Sequence, residues 1–464
     1  MAFGRGIRLS GQKDVDMTTG SVIMHLIRFA FPLLLGNLFQ QLYNTVDTWM
    51  VGNYVSNEAF SAVGSVTPIT NMMIGSFTGL ASGAGVVISQ YYGAGRADKV
   101  EQTVHTAVSL TLLLTVVFTA LGLFITPYMI GFTQLHEAAA KEAKTYLFIY
   151  FAGISGLMLY NMGAGILRAI GDSQRPFYFL VVCAVLNTIL DLLFVIVFQM
   201  GVEGVALATI LSQFVSAILV FIVLLRTSSC VKLRIQKLKM DLSILKKILL
   251  VGLPAALQMA VTAFSNVFVQ SYINYFDLGL PSPDTMSGWT AYLKIDQLLF
   301  LPMQSISLAT TTFVGQNLGK GQLVRAKDGV KKSVILSMTA TAVMMIPVMV
   351  FAPQVVGFLN DKPEVVANGT MFLRILTPFY LLCCYNQIYA GALRGAGNSK
   401  ACMFIMLGSF VAFRQIYLFA MSRICNEIIP IAMSYPAGWL MCSFLTIVYY
   451  RKVSLDKTRL VEDV

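Results

Sequence analysis

Charged side chains are scarce in this chain: Asp, Glu, Lys and Arg make up 12% of its 464 residues, against 56% hydrophobic. No water-soluble domain needs such an excess of apolar surface, so a soluble globular protein is excluded and a polytopic membrane protein is indicated. Histidine is scarcer still, and His25, His105 and His136 lie far apart, which leaves no sign of a metal-binding or hydrolytic cluster. The cysteines, Cys183, Cys230, Cys383, Cys384, Cys402, Cys425 and Cys442, are odd in number and have no CxxC spacing. They read as small packing residues, not as disulfides or metal ligands. A phosphate loop is also missing. Gly93, Gly95, Gly319 and Gly321 follow no strand and fit no GxxxxGK[ST] pattern; they read as helix ends and turns. These absences point away from an enzyme, a redox protein or an ATP-driven pump, and they call for no cofactor.

What is abundant is long apolar runs. They predict an all-α protein of about twelve transmembrane helices, near 27–52, 59–88, 104–126, 143–167, 177–199, 202–225, 248–276, 288–314, 333–352, 369–393, 401–423 and 433–450. About twenty mixed residues precede the first run, so no cleavable leader is expected. The net charge of +11 does not signal nucleic acid, because its placement is topological. Alternate connections and both tails hold 25 of the 33 basic residues, including Arg5, Arg8, Lys13, Lys237, Lys320, Arg325 and Arg459. The other connections hold few, namely Lys141, Lys144, Lys362 and Arg423. Positive charge retained on the inner side places both termini in the cytoplasm, with anionic lipid as a surface contact.

The chain is written twice. Gln90-Tyr91-Tyr92-Gly93-Ala94-Gly95 recurs as Gln316-Asn317-Leu318-Gly319-Lys320-Gly321, and Leu167-Arg168-Ala169-Ile170-Gly171 recurs as Leu393-Arg394-Gly395-Ala396-Gly397, 226 residues apart in both cases. Pro32 and Asn44 likewise meet Pro254 and Asn266 at a separation of 222. Six spans per copy is an even number, so the halves are parallel repeats with a substrate site expected between them near the midplane. The expected division is a cytoplasmic segment 1–26, a first lobe 27–225, a basic linker 226–247, a second lobe 248–450 and a tail 451–464.

Within the first run, Asn37, Gln40, Gln41, Asn44, Asp47 and Thr48 fall on a helical arc of about 120°. A carboxylate at membrane depth costs at least ~2.5–3.5 kcal/mol and marks an ion or substrate path. Asp47 is thus the leading candidate, while the amides serve equally well as glue between helices. Pro32 removes a backbone hydrogen bond and predicts a bend. Asn187 and Asp191 lie one turn apart in the fifth run, and with Tyr43 and Thr209 they form a candidate ion-coupling set around Asp47. At the repeat spacings Asp47 faces Val269, Asn187 faces Phe413 and Asp191 faces Tyr417, so the second half lacks the acids. Asp296 is a weaker candidate for a second coupling site, and Arg414 one for an interhelical lock. The 24 Met and 31 Phe suit an adaptable cavity, although packing explains most of them equally well.

These residues resemble a known family. The first-run sequence from Pro32 to Gly52, the two GxG loops, the paired LRAIGDS and LRGAGNS and the six-plus-six plan are similar to the multidrug and toxic compound extrusion (MATE) transporters over about Thr18 to Lys452. That resemblance implies two six-helix lobes in a V and cation-coupled export of small organic cations by a monomer in the plasma membrane. It also implies a first-lobe coupling site that matches Asp47, Tyr43, Asn187, Asp191 and Thr209, with Pro32 as the bending proline. H⁺ and Na⁺ stay equally open as the coupling ion, Na⁺ at Asp47 and Asp191 if it is the metal. Other members place an acid in the seventh span, where this chain has Ala263, Phe264 and Ser265. Two rival readings are a lipid-linked saccharide flippase, which calls for a strongly basic cavity, and an integral membrane enzyme, which calls for a His, Asp or Cys cluster at one interface.

Overall fold

In a computed structural model the chain is described over residues 15–132, 136–278 and 284–461. Arg5, Arg8 and Lys13 lie outside the described residues, as do the side chains of Thr48 and Phe264. A backbone in hydrocarbon must satisfy its own polar groups, and the described residues are accordingly helical, without a strand. The first half contains α1 (Val22–Tyr54), α2 (Asn57–Gly93), α3 (Ala97–Phe132), α4 (Glu137–Ala152), α5 (Ile154–Ala169), α6 (Gln174–Asp191) and α7 (Val202–Arg226). The second contains α8 (Leu242–Asn274), α9 (Asp284–Gly319), α10 (Leu323–Val350), α11 (Ala352–Leu359), α12 (Pro363–Leu376), α13 (Tyr380–Gly395), α14 (Ser399–Leu407), α15 (Arg414–Ile424), α16 (Ile428–Ala432) and α17 (Ser434–Lys452). Among the described residues 11 helices are long and apolar enough to cross a membrane, or 12 with the bent α4–α5 pair taken as one span. This is the polytopic all-α architecture that the hydropathy predicts. Helix α1 starts before the expected 27 and α8 before 248, because helices continue past the apolar run into polar turns at the interface.

The duplication reaches the irregularities. The α4–α5 pair bends by 48° at Gly153, where a Cβ would lie 2.6 Å from Ile210 of α7. At the equivalent register α12 and α13 are separated by the 3₁₀ turn Thr377–Phe379, which contains Pro378. Gly95 and Gly321 take φ of 71° and 76°, a conformation open to glycine at little cost. It lets the amide of Arg96 reach Tyr91 O at 3.0 Å and that of Gln322 reach Asn317 O at 2.8 Å, ending α2 and α9. The other glycines of the two motifs behave differently from expectation. A Cβ on Gly93 would lie 1.9 Å from Gln316 O and one on Gly319 2.0 Å from Gln90 O. They are crossing points of α2 and α9, not turn residues.

Packing defines a junction. Away from the chain termini, each half has a core of its own residues, one around Met50, Phe151 and Val205 and one around Trp289, Phe372 and Trp439. At the end that carries both termini the halves exchange helices. Leu26, Phe29 and Leu33 of α1 pack with Ile306, Phe313 and Leu393 of the second half. Ile244 and Ile248 of α8, with Val461 of the tail, pack with Val87, Val104 and Leu167 of the first. Small residues let α2 and α8 touch: a Cβ on Gly79 would lie 2.4 Å from Ala256 N, and one on Gly83 2.5 Å from Ile248 O. The two halves are thus joined at the terminal end and separate beyond it.

The basic linker docks on α3. The ring of His105 donates from Nδ1 to Glu101 O at 2.6 Å and accepts the Arg234 amide on Nε2 at 3.0 Å. Lys237 Nζ lies 3.1 Å from Glu101. At the end of the linker Asp241 caps α8, its Oδ1 accepting from the amides of Ser243 at 2.9 Å and Ile244 at 3.1 Å.

Candidate functional site

The structure brings Asp47 of α1, Asn187 and Asp191 of α6 and Thr209 of α7 together inside the first half. The Asp47 carboxyl faces Asp191, Thr209 and Asn187 at side-chain interaction range. Asn187 and Asp191 are 0% exposed, whereas Asp47 is partly exposed. Close approach has not produced well-formed hydrogen bonds. Oδ1 of Asp47, both carboxylate oxygens of Asp191 and both amide atoms of Asn187 are buried without a partner. Buried polar atoms are nearly always paired, and for the two carboxyls the exception follows from their chemistry. Two carboxylates offer one another only acceptors, and away from water they repel strongly unless a proton or a cation sits between them.

Local structure holds the arrangement. Thr209 donates its hydroxyl to Val205 O at 3.0 Å, so only its lone pairs remain for the cluster. Directly after Asp191 the helix widens into a π-turn, Leu192–Val197, a local irregularity common at functional sites. Tyr43, one turn before Asp47, is buried and close enough to interact with it. Pro32 is buried as well, and α1 runs through it as one continuous helix. Asn44 is exposed. Asn37 points elsewhere, donating to Ser305 Oγ of α9 at 3.4 Å, so the polar face of α1 serves two partners.

Two further residues belong here that the sequence reading missed. Tyr146 and Tyr150 of α4 stack with centroids 6.2 Å apart, and Tyr146 interacts with both carboxyls. The Tyr150 hydroxyl is buried and unpartnered. Two tyrosines four apart in an apolar span were the available signal, and it resembles ordinary packing.

The second half is built differently. Asp296 of α9 receives the hydroxyl of Tyr380 and that of Tyr292 at 3.4 Å, within a group of rings that includes Trp289 and Tyr435. Arg414 is 3% exposed. Its Nη2 donates to Ser265 Oγ at 2.7 Å and Asn266 Oδ1 at 2.9 Å, and its guanidinium lies 5.0 Å from the Tyr435 ring centre. Among the described residues no carboxylate lies within ion-pair distance of it. The Ser265 hydroxyl is taken up by this guanidinium and by its own bond to Phe410 O at 2.8 Å. Asp296 and Arg414 therefore stand apart from the Asp47 cluster.

Comparison with known proteins agrees with the doubled plan. The MatE family model matches twice, over residues 32–193 and 254–417. The probable multidrug resistance protein YpnP of Bacillus subtilis is 28% identical over 441 residues, covering 95% of this chain and 97% of that protein. The probable multidrug resistance protein NorM of Thermotoga maritima is 27% identical over 410 residues, covering 86% and 85%. A solved outward-facing multidrug resistance MATE family transporter of the MOP superfamily superposes with a TM-score of 0.89 at 22% identity, covering 95% of this chain and 97% of that one. At that identity the likeness speaks to the fold.

Proposed function

The chain belongs to the MatE family, whose members are multi-pass membrane transporters and not enzymes, and from that premise we propose that it is a secondary antiporter. It exports small organic cations from the cell in exchange for H⁺ or Na⁺, acting as a monomer in the plasma membrane with both termini in the cytoplasm. The observation that carries the reading is the buried, hydrogen-bond-deficient cluster of Asp47, Asn187, Asp191 and Thr209. The groups of the cluster that can ligate a cation are oxygens, which suits a hard ion as well as a proton.

The cycle follows from charge. With both carboxylates ionised, the first half attracts a cationic substrate to the region between the halves. An ion entering from outside neutralises the pair, the attraction falls, and substrate leaves to the same side. Tyr43 holds Asp47 in place, Thr209 accepts the proton of the loaded pair or faces its cation, and Pro32 gives α1 a weak point at which to bend. The halves then rock so that the empty, ion-loaded protein faces the cytoplasm and releases its ion. Asp296, held by Tyr292 and Tyr380, is the second coupling candidate. Arg414 locks α15 to α8 through Ser265 and Asn266.

Dye movement in everted membrane vesicles under an imposed pH or Na⁺ gradient tests the proposal. Gradient-driven dye accumulation falls at least about tenfold in Asp47→Asn and in Asp191→Asn, the loss of a driving step worth ~1.4 kcal/mol or more. Accumulation undiminished in Asp47→Asn overturns it.

A further inference from the structure

Gln90 on α2 and Gln316 on α9 are repeat partners, and both are 0% exposed. Each reaches across to the other half. The Gln90 amide donates from Nε2 to Gly395 O at the end of α13, 2.8 Å away, and Gln316 Nε2 donates to Ala169 O at the end of α5, 3.0 Å away. The two acceptors are also separated by 226 residues, so the crossed pair obeys the internal repeat.

Their amide oxygens do something the repeat does not dictate. Gln316 Oε1 accepts the amide of Met17 at 3.0 Å, and Gln90 Oε1 accepts the amide of Leu460 at 2.7 Å. One of these segments precedes the first helix and the other follows the last, yet they occupy matching places. Val15 donates to Ile170 O at 3.2 Å and lies 2.6 Å from where a Cβ on Gly171 would sit. Thr458 O lies 2.8 Å from the corresponding point on Gly397. On the first-helix side Arg325 Nη2 donates to Met17 O at 3.0 Å and Thr19 O at 2.8 Å, and Lys320 donates to Thr18 Oγ1 at 2.7 Å.

We infer that Gln90 and Gln316 are the positioning residues of the cytoplasmic gate, a crossed pair of staples that hold that end shut only while the segments 15–19 and 458–461 are seated. Each carboxamide ties together three bodies: its own half, a helix end of the opposite half and a terminal segment. The residue type fits the task, because a carboxamide presents a donor and an acceptor from one planar group, whereas a carboxylate would set acceptor against acceptor at the helix end. Swinging the halves apart at this end strips both bonds from each glutamine at once and leaves buried groups unpaired. The inference rests on the alternating-access reading, and it adds that these two segments are part of the gate.

Nitroxide labels at Asp98→Cys and Val324→Cys, exposed positions that are repeat equivalents 226 apart, report the opening as a distance in reconstituted protein by double electron–electron resonance. Cys230→Ser and Cys425→Ser remove the native thiols that are not buried. Gln90→Leu and Gln316→Leu each raise the ratio of the longer to the shorter distance by about tenfold, as expected for losing two net hydrogen bonds. Leu460→Pro removes the amide donor and, measured against Leu460→Ala as the control for the side chain packed near Gly397, raises the ratio in wild type and in Gln316→Leu and adds nothing in Gln90→Leu. It decides the matter even if a glutamine variant fails to fold. A longer distance that appears in wild type with dye and an ion gradient but is unchanged by Gln90→Leu, Gln316→Leu and Leu460→Pro overturns the gate while leaving alternating access intact. A single distance in wild type under every pH, Na⁺ and dye condition overturns alternating access and the gate with it.

Discussion

Thr209 carries a larger share of the proposed coupling cluster than its size implies. Its proton is committed to Val205 O, so toward the carboxyls it is purely an acceptor, able to receive the proton of a loaded Asp47 or to face a cation. Thr209→Ser keeps that lone pair and Thr209→Val removes it. The expected result is near-normal ion dependence in Thr209→Ser and an increase of about fivefold to tenfold in the ion concentration for half-maximal transport in Thr209→Val, from a loss of about 1 kcal/mol. Titrating dye efflux against external pH and Na⁺ checks it, and equal behaviour of the two variants removes the hydroxyl from the site. At this scale the sequence was informative where polarity contradicts its surroundings: Asp47, Asn187 and Asp191 stand out from apolar runs. Tyr146 and Tyr150 do not, because a buried tyrosine is as much at home in packing as in a site. Nor does the spacing of Arg414 reveal that its partners are Ser265 and Asn266 on another helix.

Among the elements, α8 shows most clearly how a helix is started and positioned. Asp241 caps it and receives the Ser243 hydroxyl at 2.7 Å, while its own amide donates to Thr106 Oγ1 of α3 at 3.2 Å. The Ser243 hydroxyl and then the Ile244 amide hold the Asp241 carboxyl below its ordinary value of 3.8, against a small opposing effect of burial. A carboxyl lowered on folding adds stability that is complete above the ordinary value and is lost as pH falls through the folded one. The cap is therefore at full strength at neutral pH and weakens only below pH 3.8. Asp241→Ala costs about 1 kcal/mol, read as a lower unfolding temperature in detergent at pH 7, and the gap to wild type narrows as the buffer approaches pH 3. A constant gap across that range removes the charge from the explanation. Helix existence and the doubled plan were legible because apolar runs and repeated motifs are local. The partner of each helix was not. Gly93 and Gly319 looked like turn formers since a GxG string records small size, and small size serves a crossing as well as a turn.

For the whole molecule, the asymmetry between the halves fixes what a transport cycle moves. If Asp47 and Asp191 together take up one proton per monovalent cation exported, no net charge crosses and membrane voltage is without effect. If both load, one net charge crosses per cycle and each 100 mV contributes ~2.3 kcal/mol. Two carboxyls in one cluster relieve their repulsion by sharing a single proton, so one proton per dye is expected and valinomycin-imposed potassium potentials across proteoliposomes should leave the uptake of a monovalent dye unchanged in wild type. A wild-type rate that rises with the imposed voltage establishes double loading and overturns one proton per dye.

The exchange of α1 and α8 between the halves also sets a timetable for biogenesis. When Phe29 leaves the ribosome, its eventual neighbour Phe313 is still untranslated, and at ordinary elongation speeds it follows roughly 15–60 s later. During that interval the first turns of α1 rest against lipid or the insertion machinery, while its later turns can already pack on α6 through Phe39 and Phe177. Each half is completed at this end only by the other, and a chain severed in the linker should mature only when both fragments are synthesised in the same cell.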